Sequence, residues 1–207
     1  MRATAIRLIA ALAVAAGLAG CGESVMAPAE EVAARAYTHP GPSSLTLYTV
    51  INNRNGSGAH TGLLINGSQR VLWDPAGSFY HPGAPERNDL LYGIAPDIRR
   101  VYIDYHARIT FRVVEQTVEV PREVADQAIR LAQQAGPVGP ARCAISTAQI
   151  LNALPGLDGM PVSYYPKALM NAFAELPGAT ARTITDEDAD DNHGVIFTRR
   201  YAEDPID

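Results

Sequence analysis

The chain has 207 residues, 47% of them apolar and 19% charged, with 17 Gly and 15 Pro. This suits one domain with roughly 20–40 residues to spare for signals and tails. It excludes a disordered polyampholyte, a collagen-like repeat and a disulfide-dense scaffold. Lys and Arg number 17 against 22 Asp and Glu, a net charge of −5; without the two arginines of the first twenty residues it is 15 against 22, or −7. A surface of that sign repels nucleic-acid phosphates, which excludes DNA and RNA as partners.

The first twenty residues read as an address. Arg2 and Arg7 form a short positive start, and residues 8–19 are apolar or Gly throughout. About a dozen such residues are too few to span a hydrocarbon core, but they match the apolar region of a secretory signal. The segment Leu18-Ala19-Gly20-Cys21 resembles the lipobox of bacterial lipoproteins. The resemblance implies cleavage before Cys21 and acylation of its sulfur and new amino group, enough chains for lasting membrane attachment. Gly22 rather than Asp follows, so the usual sorting pattern of such lipoproteins implies the periplasmic side of the outer membrane. Cys143, the other of the two cysteines, then has no partner within the chain. A single thiol in an oxidising compartment is either an inert buried apolar group or a reactive one.

Residues 22–43, rich in Ala, Pro, Glu and Ser, read as a tether between lipid and domain. From residue 45 the pattern becomes alternating, which predicts a strand over 45–50. Further strands are predicted over 60–65 and 69–73, joined by an Asn66-Gly67 hairpin turn. Both Asn55-Gly56-Ser57 and Asn66-Gly67-Ser68 match a glycosylation sequon, yet here they serve better as turns. Residues 74–95 read as a long surface loop. Pro96 opens a helix to about 108, on which Ile98, Val101, Tyr102 and Tyr105 share a face. A β-branched strand over 111–120 follows, then a helix over 121–135 with Glu123 and Asp126 near its start and Gly136 as its stop. Helices are predicted over 143–154 and 166–176. Two apolar stretches, 180–184 and 194–198, are expected to pair across an acidic loop. Strands, helices and strands in that order predict an α+β fold with an antiparallel sheet packed on helices, in one domain over 44–207.

Cys143 follows a Gly-Pro loop and opens a helix, so backbone amides point at its sulfur and favour the thiolate. Such a nucleophile needs a base. His39 lies in the tether, His193 beside the acidic loop and His81 in a Pro/Gly-rich loop. His106 ends a helix, where a positive charge is favoured. His60 instead opens a strand, which fixes its ring. Asp74, fourteen residues on, ends the next strand of the hairpin, placed to orient an imidazolium.

A strand beginning His60-Thr61-Gly62, a polar residue ending the next strand and a later Cys opening a helix resemble the circularly permuted branch of NlpC-type papain-like cysteine hydrolases. That branch includes lecithin:retinol acyltransferase-like proteins, and the resemblance spans roughly residues 45–154. It implies a permuted papain-like fold with His60 as base, Asp74 as its orienting partner and Cys143 as nucleophile. It also implies an amidase, peptidase or acyltransferase acting on cell-wall peptides or lipid acyl groups, with no cofactor and no metal.

Other readings stand beside this one. Asp74 could simply cap a turn, and His60 could be a satisfied strand-end residue. A non-catalytic lipoprotein could use the same fold to bind cell wall or a protein partner, and Cys143 could form a disulfide with another chain. Acids 186, 188 and 190 imitate a calcium loop, but Asp191 and Phe197 stand where that loop needs Gly and Glu, so a solvated acidic turn is expected. Tyr164 and Tyr165 read as cover for the core or as the wall of a groove.

Overall fold

The computed structural model describes residues 24–192 and Gly194. Cys21, His193 and the stretch 195–198 lie outside the described residues. The fold is α+β, built on one seven-stranded antiparallel sheet. Its strands are β1 (Ser44–Asn52), β2 (Gly58–Asn66), β3 (Arg70–Trp73), β4 (Glu86–Arg87), β5 (Leu90–Tyr92), β6 (Phe111–Glu119) and β7 (Thr180–Ile184), in the order β4-β5-β3-β2-β1-β6-β7. Among the described residues five helices accompany it: α1 (Ala29–Arg35), α2 (Pro96–His106), α3 (Arg122–Ala135), α4 (Cys143–Asn152) and α5 (Pro166–Ala174).

Both faces of the sheet are covered, which explains why Leu63-Leu64-Ile65 is apolar without alternation. Leu45, Leu47, Leu63, Ile65 and Trp73 face α3, α4 and α5. Tyr48, Leu64, Leu72 and Leu91 face α2 on the other side. The helices form where the sequence provides starts and stops. Pro96 and Pro166 occupy first helical positions, where the missing N–H costs nothing. Gly136 ends α3 at φ 71°, a backbone angle that favours Gly.

The α2 face of the sheet also holds a buried charge network. Arg99 donates to Tyr48 Oη at 2.8 Å and to Glu115 Oε2 at 2.7 Å, and Arg182 donates to Glu115 Oε1 at 2.8 Å. Arg99 and Glu115 are each only 7% exposed. Removing one member leaves a buried charge uncompensated, which is costlier than the net worth of the pair. Arg99→Ala is therefore expected to lose about 3 kcal/mol of stability in urea titrations, and Arg182→Ala, nearer solvent, much less.

Two features differ from the sequence reading. Residues 74–95 are not a simple loop, because β4 and β5 extend the sheet there; at two and three residues they are too short to carry a periodic signal. The stretch 180–184 pairs with β6, and its expected partner over 195–198 lies outside the described residues. The segment from Ser24 to residue 43 is docked on the domain instead of acting as a free tether. Met26 bridges Arg87, Ala27 N donates to Glu86 O at 2.9 Å, and Arg70 N donates to Tyr37 O at 2.7 Å. Edge backbone groups of β3 and β4 gain partners this way, and helix α1 forms within the segment, with Glu30 and Glu31 at its start and Arg35 at its end suiting the helix dipole. Among the described residues, no helix is long and apolar enough to cross a membrane.

Candidate active site

β2 carries an irregularity in its pairing with β1: Val50 opposes His60, but Ile51 opposes Gly58, so Ala59 is an extra residue. A bulge there bends the strand and re-aims the next side chain, which is His60. Residues alternate in facing beyond it. His60, Gly62 and Leu64 belong to the α2 face, while Thr61, Leu63 and Ile65 belong to the α4 face. β3 pairs with β2 through Trp73 and Leu63, which sets Asp74 beside Gly62 at the same sheet end. α4 packs on β2 and begins at that end with Cys143.

Distant parts of the chain thus meet. His60 Nε2–H donates to Asp74 Oδ1 at 2.7 Å, and Tyr102 Oη–H donates to the same oxygen at 2.8 Å. The other nitrogen of the His60 ring is left for the Cys143 thiol, to which His60 is hydrogen-bonded. The sulfur also accepts from the backbone N–H of Thr61 and of Ala144. The three residues singled out in the sequence form one bonded chain.

Their electrostatics follow from this. Burial alone would keep the His60 ring neutral, but the Asp74 carboxylate and the Cys143 sulfur overcome it and push the ring up to about 10. Burial disfavours the Asp74 carboxylate, and His60, with Tyr102 in support, holds it below the ordinary range. Burial likewise opposes the Cys143 thiolate, yet His60 and the two amides bring the thiol below its usual value. His60 thus favours its protonated ring and draws Cys143 toward the thiolate, and the two groups titrate as a unit.

Two neighbours escaped the sequence reading. His106 was expected to be cationic at its helix end. Instead it is buried, and desolvation lowers it to about 4, so its ring is neutral. Its Nδ1–H donates to Tyr102 O at 2.8 Å, and its plane lies within 9° of the His60 plane at a centroid separation of 5.6 Å. Tyr102, read only as an apolar face residue, is the second donor to Asp74. The spacing of Tyr102 and His106, one turn apart on the buried face of α2, was the available signal. Gly62 makes room for them: a Cβ there would collide with Tyr102 Oη and crowd Asp74 Oδ1. Gly77 serves Asp74 Oδ2 in the same way.

A cleft of about 600 Å³ adjoins the chain of residues. One wall is the loop after Asp74, including Ala76, Gly77 and Tyr80; the other is Val138, Pro140 and Ala141, just before Cys143. Ala76, Asp89 and Ala141 line it with φ between 54° and 64°. Backbone in that region is held at a cost and tends to gather at functional sites.

Donor atoms of His60, Asp74 and His106 lie within 4.8 Å of one another. A metal among them would displace the His60–Asp74 hydrogen bond and would meet a ring that is already protonated, so the set fits a proton-holding role better. Asp104, Asp186 and Asp188 also gather, around Arg108, whose guanidinium lies 2.9 Å from Asp104 and 3.4 Å from Asp188. That cation occupies the place a metal would take, so the acidic turn is tied down on one side instead of fully solvated. No family model matches the chain, and no curated protein or solved structure matches it either.

Proposed function

We propose that this protein is a lipid-anchored envelope enzyme of the outer membrane, a cysteine hydrolase or acyltransferase with a permuted papain-like arrangement of its catalytic residues. The observation that carries this reading is the bonded series Cys143–His60–Asp74–Tyr102 beside a cleft lined by the residues just after Asp74 and just before Cys143. A structural Cys gains nothing from an imidazolium and two amides aimed at its sulfur; a nucleophile gains its reactive form.

In the proposed mechanism the Cys143 thiolate attacks the carbonyl carbon of an amide, ester or thioester. The oxyanion that forms is held by amide N–H groups at the start of α4, which have no partner within the helix. His60 then gives its proton to the leaving amine, alcohol or thiol as the tetrahedral intermediate collapses to an acyl-enzyme. Water or another acceptor attacks next, His60 takes up its proton, and Cys143 leaves as thiolate. Asp74 keeps the ring oriented and charged. His106, neutral and stacked on the ring, blocks its rotation without competing for the proton.

The electrostatics set a pH window. Activity requires thiolate and imidazolium together, so it rises through the lowered titration of Cys143 and falls as His60 loses its proton near 10. Turnover of an activated aryl ester should therefore follow a broad bell with its acid limb below the ordinary thiol range, about 8.5. A single rise centred on that ordinary value would count against the ion pair.

A further inference from the structure

Strand register fixes where the N-terminal segment leaves the domain. Trp73 pairs with Leu90, Leu90 with Arg87, and Arg87 bridges Met26. Asn88 N donates to Val25 O at 2.8 Å, and Ser24 Oγ donates to Asn88 Oδ1 at 2.9 Å. Running backward from Met26 to Ser24 therefore leads toward the sheet end that holds Asp74, and Val25 itself lines the cleft. Cys21 lies four residues before Val25, a reach of at most about 14 Å.

The same end collects large apolar side chains left in the open. Val25 and Met26 run beside the edge strand β4, and Tyr80 is on the cleft wall. Tyr165, 74% exposed, precedes Pro166, which packs beside Gly58 at the start of β2. Ile109, 61% exposed, offers its carbonyl to Asn53 Nδ2 in the β1–β2 turn. Exposed cations accompany them: Arg54 in that turn, Lys167, whose Nζ donates to Gly56 O, and Arg142 beside the nucleophile. The acidic turn, held by Arg108, bounds this surface at the Ile109 corner. Scattered exposed apolar residues need no explanation, but this group shares one end with basic residues and with the exit toward Cys21. Tyr rings and basic side chains are what a bilayer interface accommodates.

We propose that this end of the domain is a membrane-facing surface, seated on the bilayer that holds Cys21, with the Cys143 cleft opening toward the lipid headgroups. The proposal rests on lipidation of Cys21 in the function proposed above. It narrows the substrates to carbonyl groups presented at or near the bilayer surface, since so short a leash keeps the cleft from reaching farther.

The test uses the full lipidated protein in vesicles of phosphatidylethanolamine and phosphatidylglycerol whose acyl chains carry bromine, a contact quencher of Trp fluorescence. Met26→Trp reports on the proposed surface. Glu119→Trp reports on the opposite end, at the far end of β6, some 27 Å away by strand rise. The native Trp73, fully buried, is the common background. The expected result is roughly a twofold loss of the Met26→Trp signal, the depth of an interfacial contact, with Glu119→Trp unchanged. Equal quenching at both positions, or none at either, overturns the proposal. Mass analysis of the Cys21 peptide separates the causes. Without acyl chains on Cys21 the anchoring fails and this surface fails with it; with acyl chains but no selective quenching, only the surface fails. Catalysis is read independently through Cys143 alkylation.

Discussion

Replacing His60 with Ala should slow alkylation of Cys143 by iodoacetamide at neutral pH by at least about 30-fold, since each unit of thiol pKa changes the thiolate fraction tenfold. The argument rests on opposed effects at one sulfur. Burial raises the thiol, while hydrogen bonding and charge from His60, aided by the Thr61 and Ala144 amides, lower it. Without the ring, burial dominates and the thiol returns to its protonated, unreactive form. The two proteins should converge at strongly alkaline pH, where any thiol ionises. That convergence distinguishes loss of ionisation from loss of access, which would slow the variant at every pH. Unchanged reactivity at neutral pH would mean that His60 does not govern Cys143.

Asp74→Asn should lower kcat for an activated ester by about a thousandfold, with KM little altered, in line with losing the carboxylate of a triad. The substitution keeps the shape and retains an oxygen for Tyr102, but removes the charge. Asp74 is 3% exposed, and its carboxylate is the main influence opposing desolvation of His60. With that charge gone, the buried ring reverts to neutral and the proton returns to sulfur. An NMR titration of the His60 ring should show its midpoint falling from about 10 to the ordinary range of about 6.5 or below. A variant within threefold of the parent in kcat would reduce Asp74 to a turn residue, the reading also open from Trp73-Asp74-Pro75.

Much of the frame was legible in the sequence because its signals are local. Strands β1, β2 and β6 are long, and helices α2, α3 and α5 begin or end on Pro or Gly while α4 is flanked by Pro/Gly-rich loops, so each could be placed from neighbouring residues. The edge was not legible. β5 exists only because β3 offers it a partner, β4 only because β5 does, and the docking of residues 24–43 depends on edge groups supplied by Arg70 and Glu86. No local pattern encodes either. In the site, Cys143, His60 and Asp74 stood out because each sits at the end of an element, a position visible in sequence. Tyr102 and His106 did not, because their roles depend on which face of α2 meets β2. The neutral state of His106 is hidden for a related reason: its helix-end position argues for a cation, but burial prevails over the helix dipole.

The central claim is that Cys143 rests as a thiolate paired with protonated His60. The direct measurement is ultraviolet thiolate absorbance across pH on protein with Cys21→Ser, so that Cys143 is the only sulfur able to ionise. The account predicts absorbance already present at neutral pH and abolished by Cys143→Ser. Absorbance that appears only around the ordinary thiol value of about 8.5 or above, and is unaffected by His60→Ala, would contradict it.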